Sequence, residues 1–443
     1  MPRSSSTIPS VAIVTAVLIA LLAIPGPVIA QDAEPAEPVE MAKVRILHGS
    51  EHGPIDAYLG GEIALEGLEL GQITDYMDVP AGKLLVDVVG QGSVLDDAKG
   101  LFATAEATFK LKANAAYTVV ANASDASGVE LLIIGDRPKP AAGKAMVRVV
   151  GGICEACGQL DYAVEGSKKL LAKNLHHPDQ RFAGKYIKMK PGELDVVPRG
   201  NGTTKPLADF DPVVLEPGTS NSLFVIGRQD RNTLTLVPAV DAALAKMRVL
   251  NAAIEPHAVD VYIDNKKVTK KLAQEQAGPF KDILSGEHWV QVVEAGADPA
   301  DGTLSESTIT LGPGTVSAVV VGLADPISVA PAPNGAASKV KESRMRFAHV
   351  APDVAAMDIL IDDVLVVEGL EFGAASDYVG PLAADAFFQM RPAGTADTVV
   401  QAPLSPAPRT SYTGFIAGSL DDSDLTLAIS EDPKPKKKKK KKE

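Results

Sequence analysis

The sequence predicts an all-β fold made of four tandem Greek-key, immunoglobulin-like β-sandwich modules. The main observation is a segment that recurs four times at intervals of about 100 residues, the length of one small sandwich domain. The four copies begin with KVRILHGS at Lys43, MVRVVGGI at Met146, KMRVLNAA at Lys246 and RMRFAHVA at Arg344. Composition agrees, because aromatic residues are only 5% of the chain, while 38 Gly and 32 Pro suit short strands between turns.

Alternation of apolar and polar side chains in the first copy predicts seven or eight short strands. Residues 55–59 alternate as a half-buried strand does, and Gly60-Gly61 is a hairpin signal. Later strands of this copy are predicted at 73–79, 84–89, 102–111, 117–121 and 129–134. Turns every 8 to 12 residues favour an antiparallel arrangement of these strands. No segment beyond the N-terminal 30 residues shows the period of 3.6 that predicts a helix.

These landmarks divide the chain into four modules, which we call repeats 1 to 4. Their predicted bounds are 43–137, 144–240, 245–330 and 343–431. An acidic, Pro-rich linker at 31–42 precedes repeat 1, and a second linker at 331–342 separates repeats 3 and 4. The join between repeats 2 and 3, at 238–245, is shorter, and we expect it to hold those repeats as a rigid pair.

Residues 1–30 are typical of a secretory signal peptide. Arg3 supplies the positive region, residues 11–24 are almost entirely apolar, and Val28-Ile29-Ala30 is a small-residue cleavage site before Gln31. The apolar run is about 14 residues, shorter than the roughly 20 that span a bilayer, which favours cleavage over an uncleaved anchor. We therefore expect a secreted or cell-envelope protein with no transmembrane segment after signal removal.

The C-terminal residues 432–443 form a lysine-rich tail, and the mutual repulsion of its charges predicts disorder. Its eight lysines are Lys434, Lys436, Lys437, Lys438, Lys439, Lys440, Lys441 and Lys442. Removing Arg3, these lysines and Glu443 from the formal charge of −13 leaves about −21 for residues 31–432. A body this acidic argues against specific nucleic-acid binding. The expected partner of the tail is an anionic lipid surface or envelope polymer, and the alternative is a tail that only aids solubility.

One aspartate recurs just after the first loop of each repeat, facing away from its apolar neighbours. The four are Asp56, Asp161, Asp260 and Asp358. One hypothesis is a loop clamp, in which the carboxylate accepts backbone N–H bonds as in an Asx turn. The other is a ligand oxygen for calcium or another ligand at one end of the module. Calcium needs about six or more oxygens. No repeat has a dense acidic loop, so the clamp is favoured and no metal site is predicted.

The only two cysteines, Cys154 and Cys157, lie in the first loop of repeat 2. An even pair in an exported protein predicts a disulfide. One alternative is a metal pair, for which His176 and His177 are the only further candidate ligands in the repeat. The other is a redox motif, which needs a helix N-terminus to lower a thiol pKa. Strands and glycines flank the cysteines, and this favours the disulfide.

Other histidine and aromatic residues are assigned to the scaffold. Three histidines lie in or beside first loops: His48, His257 and His349. They share no single aligned position, so we interpret them as polar loop residues. Tyr117 and Tyr412 precede equivalent strands of repeats 1 and 4, where a hydroxyl bonded to the preceding corner would pin the fold. Trp289, beside the core strand of repeat 3, is expected in the core.

The openings of repeats 3 and 4 resemble a known family. KMRVLNAAIEPHAVDVYIDN and RMRFAHVAPDVAAMDILIDD combine an arginine-containing strand, a loop of the His-Ala-Ser-Pro-Asp type, an Asp-Val-Tyr-type strand and a small turn. This is similar to the opening motif of the bacterial "domain of unknown function 4397" family. Repeats 3 and 4 match well, repeat 1 reasonably, and repeat 2 poorly because of its cysteines. The resemblance implies secreted, tandem, sandwich-like modules of bacterial cell envelopes, and it implies no reaction.

The chain has no G-x-S-x-G, H-E-x-x-H, P-loop or dinucleotide-binding motif in a suitable context. We therefore expect no catalytic residues and no cofactor, with calcium as the one open option. The expected function is a noncatalytic surface-binding or adhesion array that recognises a polysaccharide or protein at its end loops. The alternatives are an envelope spacer with no discrete ligand and, less favoured, an extracellular enzyme or redox protein centred on repeat 2.

Overall fold

The computed structural model describes residues 40–93, 105–124, 128–154, 156–176, 182–252, 258–274, 276–322, 328–333, 341–351, 354–418 and 425–432. These residues form 31 strands and no helix, which confirms the all-β class. Nowhere in them is there a helix long and apolar enough to cross a membrane. The predicted signal peptide, most of the first linker, part of the second linker and the tail lysines lie outside the described residues, so those predictions stay predictions.

The strands follow one another with the same spacing in each repeat. Repeat 1 contains β1 (Met41–Gly49), β2 (Ile55–Leu59), β3 (Glu62–Leu68), β4 (Met77–Pro80), β5 (Gly82–Gly90), β6 (Ala105–Leu111), β7 (Ala116–Ser124) and β8 (Gly128–Asp136). Repeat 2 contains β9 (Ala145–Val150), β10 (Leu160–Val164), β11 (Leu170–Leu175), β12 (Ile187–Met189), β13 (Gly192–Leu194), β14 (Val196–Gly200), β15 (Val213–Leu215), β16 (Thr219–Ile226) and β17 (Thr235–Ala252).

The second half of the chain repeats this order. Repeat 3 continues from β17 with β18 (Ala258–Ile263), β19 (Lys266–Ala273), β20 (Lys281–Leu284), β21 (Gly286–Glu294), β22 (Thr303–Leu311), β23 (Val316–Gly322) and β24 (Ser328–Pro333). Repeat 4 contains β25 (Arg344–His349), β26 (Met357–Ile361), β27 (Val364–Leu370), β28 (Phe387–Pro392), β29 (Val400–Pro403), β30 (Ser411–Ala417) and β31 (Thr426–Glu431).

Two sheets of repeat 1, ordered β4-β1-β7-β8 and β3-β2-β5-β6, pack through their apolar faces. Ile46 and Ala121 of the first sheet share a buried cluster with Ile55 and Val88 of the second. Each of the other repeats buries a similar cluster between its sheets. Burying one such Val or Ile side chain stabilises the fold by roughly 1.5–3 kcal/mol.

One pairing in each repeat is parallel. The first strand pairs in parallel with a late strand, as in β1 with β7, β9 with β16, β17 with β23 and β25 with β30. The expectation of a wholly antiparallel arrangement is therefore wrong at this position. The alternation of side chains reports which face is buried, but it does not report the direction of the neighbouring strand.

Strand β17 is 18 residues long and serves two repeats. Its first part pairs with β16 of repeat 2, and residues 246–252 pair with β23 of repeat 3. One seven-stranded sheet therefore runs through both repeats. The short join that was expected to be rigid, at 238–245, lies inside this hydrogen-bonded strand.

Repeats 1 and 2 contact each other through the outer faces of their first sheets. Leu47, Val120 and Ile134 of repeat 1 form a buried cluster with Phe224 and Val237 of repeat 2. This apolar contact was not predicted, because the repeats were expected to be separate units. It surrounds a set of buried charges.

Two buried ion pairs cross this contact, and each joins the first strand of one repeat to the last strand of the other. Arg45 donates to Asp241 and Arg148 donates to Asp136, and none of these side chains is more than 5% exposed. Each carboxylate also accepts two hydroxyl groups at 2.6–2.7 Å, from Tyr76 and Thr118 at Asp136 and from Tyr186 and Ser222 at Asp241. The two halves of the interface therefore exchange equivalent contacts.

Removing one carboxylate tests this exchange. Asp136→Ala leaves the guanidinium of Arg148 buried without its carboxylate partner, and we expect the free energy of unfolding to fall by about 3–5 kcal/mol. The control Asp78→Ala removes an exposed pair with Lys43 and should leave the urea midpoint nearly unchanged. Urea denaturation followed by circular dichroism measures both variants. Equal shifts for the two substitutions would contradict the stabilising role of the buried pair.

Candidate functional site

The four recurring aspartates make the same two backbone contacts. Their Oδ1 atoms accept N–H bonds of 2.6–2.9 Å from the strand that follows, at Gly67, Asn174, Lys271 and Gly369. Their Oδ2 atoms accept N–H bonds of 2.8–3.3 Å from a later turn, at Gly92, Gly202, Gly296 and Gly394. Both oxygens of every carboxylate therefore contact backbone donors of the same repeat.

These contacts hold backbone with positive φ. Each aspartate lies where the register shifts in the pairing of its strand with the next, as at Asp56 between β2 and β3. All eight donors have positive φ, including Asn174 at 54° and Lys271 at 50°, a conformation that non-glycine residues adopt at a cost. The carboxylate thus ties a bulge to a turn. Among the described residues, no group of three or more His, Cys, Asp or Glu is placed to hold a metal ion.

His48 and His349 correct the sequence interpretation of the histidines. Both lie three residues after the strand arginine, and their parallel pairing partners, Ala121 and Ile416, are equivalent. Both are fully buried strand residues and not loop residues. Burial lowers the pKa of His48, which favours the neutral imidazole. The third histidine, His257, lies outside the described residues.

Repeat 2 fills the same space in another way. It has Gly151 where repeats 1 and 4 have histidine, and a Cβ atom there would lie 2.2 Å from the side chain of Tyr162. The Tyr162 hydroxyl donates to the Gly151 carbonyl at 3.0 Å. Tyr162 follows the clamping aspartate, at the position that Ala57 holds in repeat 1. In repeat 2 the large side chain is therefore on the facing strand, where Tyr162 occupies the space above Gly151.

Cys154 and Cys157 form a disulfide, as predicted. Cys154 is buried against the core of repeat 2, and Cys157 packs beside it. No helix starts at this loop among the described residues, so the feature that would lower a thiol pKa is not seen there. Of the two histidines considered as metal ligands, His177 lies outside the described residues.

The tyrosine prediction is confirmed and the tryptophan prediction is wrong. The hydroxyl of Tyr117 accepts the N–H of Lys112 at 3.0 Å, and that of Tyr412 accepts the N–H of Ala407 at 2.8 Å. Each bond reaches five residues back and closes the corner before the strand. Trp289 is half-buried on the outer face of β21, because the buried Val290 fixes which alternate residues point inward.

The buried arginine–aspartate exchange was not predicted from the sequence. The arginines were visible, since each repeated segment carries one at the same place: Arg45, Arg148, Arg248 and Arg346. The carboxylate acceptors of Arg45 and Arg148 lie in the last strand of another repeat, 196 residues away for Asp241 and 12 residues away for Asp136. Recurrence of a charged residue inside a buried strand was the signal that could have found them.

Comparison with known proteins identifies the family. The family model "Domain of unknown function (DUF4397)" matches residues 42–156, 245–341 and 343–442, more than half of the chain. The chain belongs to the DUF4397 family. The matched segments cover repeats 1, 3 and 4 and leave out residues 157–244 of repeat 2. This is a repeated domain of unknown function, as the sequence resemblance predicted.

No curated protein matches the chain. Three solved structures show weak similarity. The Bacillus anthracis TIE protein has 10% identity over 87% of this chain and 68% of that chain, with a TM-score of 0.16. The major pilin subunit BcpA of Bacillus cereus has 8% identity over 66% and 100%, with a TM-score of 0.13. The pilus adhesin SpaC from Lactobacillus rhamnosus GG has 11% identity over 89% and 53%, with a TM-score of 0.10.

The clamp predicts a pH dependence in repeat 4. The N–H bonds from Gly369 and Gly394 lower the pKa of Asp358. The carboxylate therefore contributes stability above its unfolded pKa of about 3.9 and loses that contribution as pH falls through the lower folded value. We expect Asp358→Asn to lower the urea midpoint at pH 7 and to flatten its fall below about pH 4. The exposed Asp377→Asn should change neither, and identical behaviour of the two variants would contradict the clamp.

The disulfide predicts a simple thiol count. Native and denatured protein should both give no free thiol, and two thiols should appear only after reduction. Cys154→Ser/Cys157→Ser should lower the free energy of unfolding by about 2 kcal/mol, the low end for disulfides, because the ring closes little chain. Thiol titration with and without reductant measures the first, and urea denaturation the second. Two thiols in the unreduced protein would refute the pairing.

Proposed function

We propose that this protein is a secreted, noncatalytic array of β-sandwich modules that acts as a binding or adhesion protein of the cell envelope. The lysine tail retains it electrostatically at an anionic lipid or polymer surface. The predicted signal peptide supports export, and the eight tail lysines beside an acidic body support a charge-based attachment. The loops at the module ends are the expected place for a polysaccharide or protein ligand.

The observation that carries this proposal is the use made of the recurring polar side chains. All four loop aspartates bond the backbone of their own repeat. The arginines of repeats 1 and 2 bond aspartates buried between them. Residues that every repeat shares thus stabilise the scaffold, which leaves recognition to the loops and faces in which the repeats differ.

A second candidate function is an envelope spacer with no discrete ligand. The long strand β17 and the buried ion pairs favour it, because together they couple repeats 1, 2 and 3 through hydrogen bonds and charges. A pull-down from envelope fractions with a chain that lacks residues 433–443 separates the two candidates. Specific capture of a polysaccharide or protein supports the binding array, and capture of nothing supports the spacer.

The tail prediction uses charge as the only variable. Replacing the eight tail lysines with Gln should release the protein from the envelope fraction at low salt, since each lysine near an anionic surface contributes up to about 1 kcal/mol. Replacing the same lysines with Arg keeps the charge and should preserve retention. A high-salt wash should release the wild type, because exposed charges are screened. Immunoblots of the fractions measure this, and full retention of the Gln variant would contradict the proposal.

A further inference from the structure

The strand that follows each clamping aspartate changes its charge from repeat to repeat. This strand is β3, β11, β19 or β27 in repeats 1 to 4, and in each repeat it lies at the edge of its sheet. Two equivalent, exposed positions in or beside it carry lysine in repeats 2 and 3 and mostly glutamate in repeats 1 and 4. In repeats 1 to 4 these pairs are Glu62 and Glu66, Lys169 and Lys173, Lys266 and Lys270, and Val364 and Glu368.

Protection of the sheet edge does not account for this change of sign. Charged side chains on an edge strand prevent it from pairing with a strand of another molecule, and either sign serves. Acidic edges in all four repeats would also repel one another between copies of the chain. Lysines at these positions, in a chain with a formal charge of −13, therefore indicate a local requirement for positive charge.

Strand β19 of repeat 3 carries four exposed lysines in eight residues. One of them, Lys267, forms an ion pair of 2.7 Å with Asp260, and its Nζ lies 5.0 Å from the ring centroid of Tyr262. The other three form no ion pair with another described residue, and they are Lys266, Lys270 and Lys271. Three positive charges along one sheet edge are therefore available to an anionic ligand.

Two aromatic side chains lie on the outer face of the sheet beside this edge. Tyr262 on β18 pairs with Lys267 on one side and with Gln291 of β21 on the other. Trp289 lies two residues before Gln291, so its half-buried ring is on the same face. Neighbouring strands are about 4.8 Å apart, which places β21 about 10 Å from β19. One ligand of that length can contact both Trp289 and the lysines.

The acidic side chains of this face leave the β19 edge positive. The N–H of Trp289 bonds the carboxylate of Asp264 at 3.1 Å, and Nε2 of Gln291 bonds that of Glu306 at 3.3 Å. Glu306 and the exposed Glu287 lie on β22 and β21, which β18 separates from β19. The face is therefore polarised, with its free cations at one edge and the aromatic ring towards the middle.

At the equivalent described positions, repeat 3 alone combines the lysines with an aromatic ring. The residue equivalent to Trp289 is Leu85 in repeat 1, Asp195 in repeat 2 and Phe387 in repeat 4. Repeat 2 thus has lysines without a ring at this position, and repeat 4 has a ring without the lysines. These two repeats supply matched controls for the two features.

We propose that this face of repeat 3 binds an acidic polysaccharide. Carboxylates of the ligand contact Lys266, Lys270 and Lys271. The apolar face of a sugar ring in the same ligand stacks on Trp289. A polyphosphate would satisfy the lysines and leave the aromatic ring unused, whereas a neutral glucan would use the ring and leave the lysines, so a sugar chain that bears carboxylates fits the combination best. The inference names a ligand class for the proposed binding array and rests on that proposal.

Titration with oligogalacturonate and with oligoalginate tests this site. Trp289 is the only tryptophan of the chain, so its fluorescence reports on this face alone. We expect both uronates to change its emission on binding. Lys266→Gln/Lys270→Gln should weaken that binding by about tenfold at low salt. The control Lys169→Gln/Lys173→Gln alters the equivalent positions of repeat 2 and should leave the titration unchanged.

Calorimetric titration with the same uronates tests the aromatic ring. Trp289→Ala should weaken binding by about tenfold or more, as for an aromatic residue at the centre of an interface. Its control, Phe387→Ala, removes the equivalent ring of repeat 4 and should bind like the wild type. Unchanged circular dichroism spectra establish that all four variants fold.

The outcomes separate this inference from the proposed function. No response to either uronate, or equal weakening by the variants and their controls, refutes the site. Polyphosphate that binds as tightly, with the same change in Trp289 emission, overturns the polysaccharide assignment, and neutral dextran that does so overturns the requirement for acid. If the site is refuted while the envelope pull-down captures another ligand, the proposed function stands. Capture of nothing in that pull-down contradicts the proposed function itself.

Discussion

Four charges buried between repeats 1 and 2 impose the constraint on which the arrangement of the array depends. A buried guanidinium or carboxylate is costly unless its hydrogen-bonding groups are satisfied, and removing one member leaves its partner stranded. Here each carboxylate accepts one arginine and two hydroxyl groups, from Tyr76 and Thr118 at Asp136. Any other packing of the two repeats would separate these charges, so the network selects one orientation beyond what the apolar contact of Leu47 and Phe224 requires.

The coupling between repeats changes along the chain. Repeats 2 and 3 share strand β17, while repeats 3 and 4 bring Arg248 near the carboxylate of Asp432, which accepts hydrogen bonds from the hydroxyls of Tyr378 and Thr413. Repeat 3 has Phe280 and Ala318 at the positions of Tyr76 and Thr118, so two hydroxyl donors are gone. Arg248 still reaches the carbonyl of Glu431 at 2.9 Å, and burial lowers its pKa to about 10. Nη2 of Arg346 is buried with no hydrogen-bond partner among the described residues. Leu250 of repeat 3 still shares a buried apolar cluster with Phe415 of repeat 4.

Features set by residues close together in the chain could be predicted from the sequence, and features set by distant segments could not. The all-β class, the corner tyrosines and the disulfide follow from alternation, spacing and loop position, and each concerns residues close together in the chain. The parallel first strand and the partner of Arg45 depend on segments tens to hundreds of residues away, which one repeated motif does not specify. The prediction for Trp289 was wrong for another reason. Alternation defines the two faces of a strand but not which face is buried, and the buried Val290 and Val292 lie on the inner face of β21. The histidines were misplaced because the strand extends further than the apolar residues suggested.

Differences between the repeats fall into two physical classes. In repeat 2, Gly151 and Tyr162 are exchanged so that the core volume is kept, and the departure is compensated inside the chain. In repeat 4, Gly380 removes an acid opposite a cation, and the hairpin exposes Val364 and Leu365, where repeat 3 has Lys266 and Lys267. The first change is met inside the repeat, because Arg344 stacks on the ring of Tyr378 and donates to the Ser411 hydroxyl, while the second leaves apolar side chains in contact with solvent.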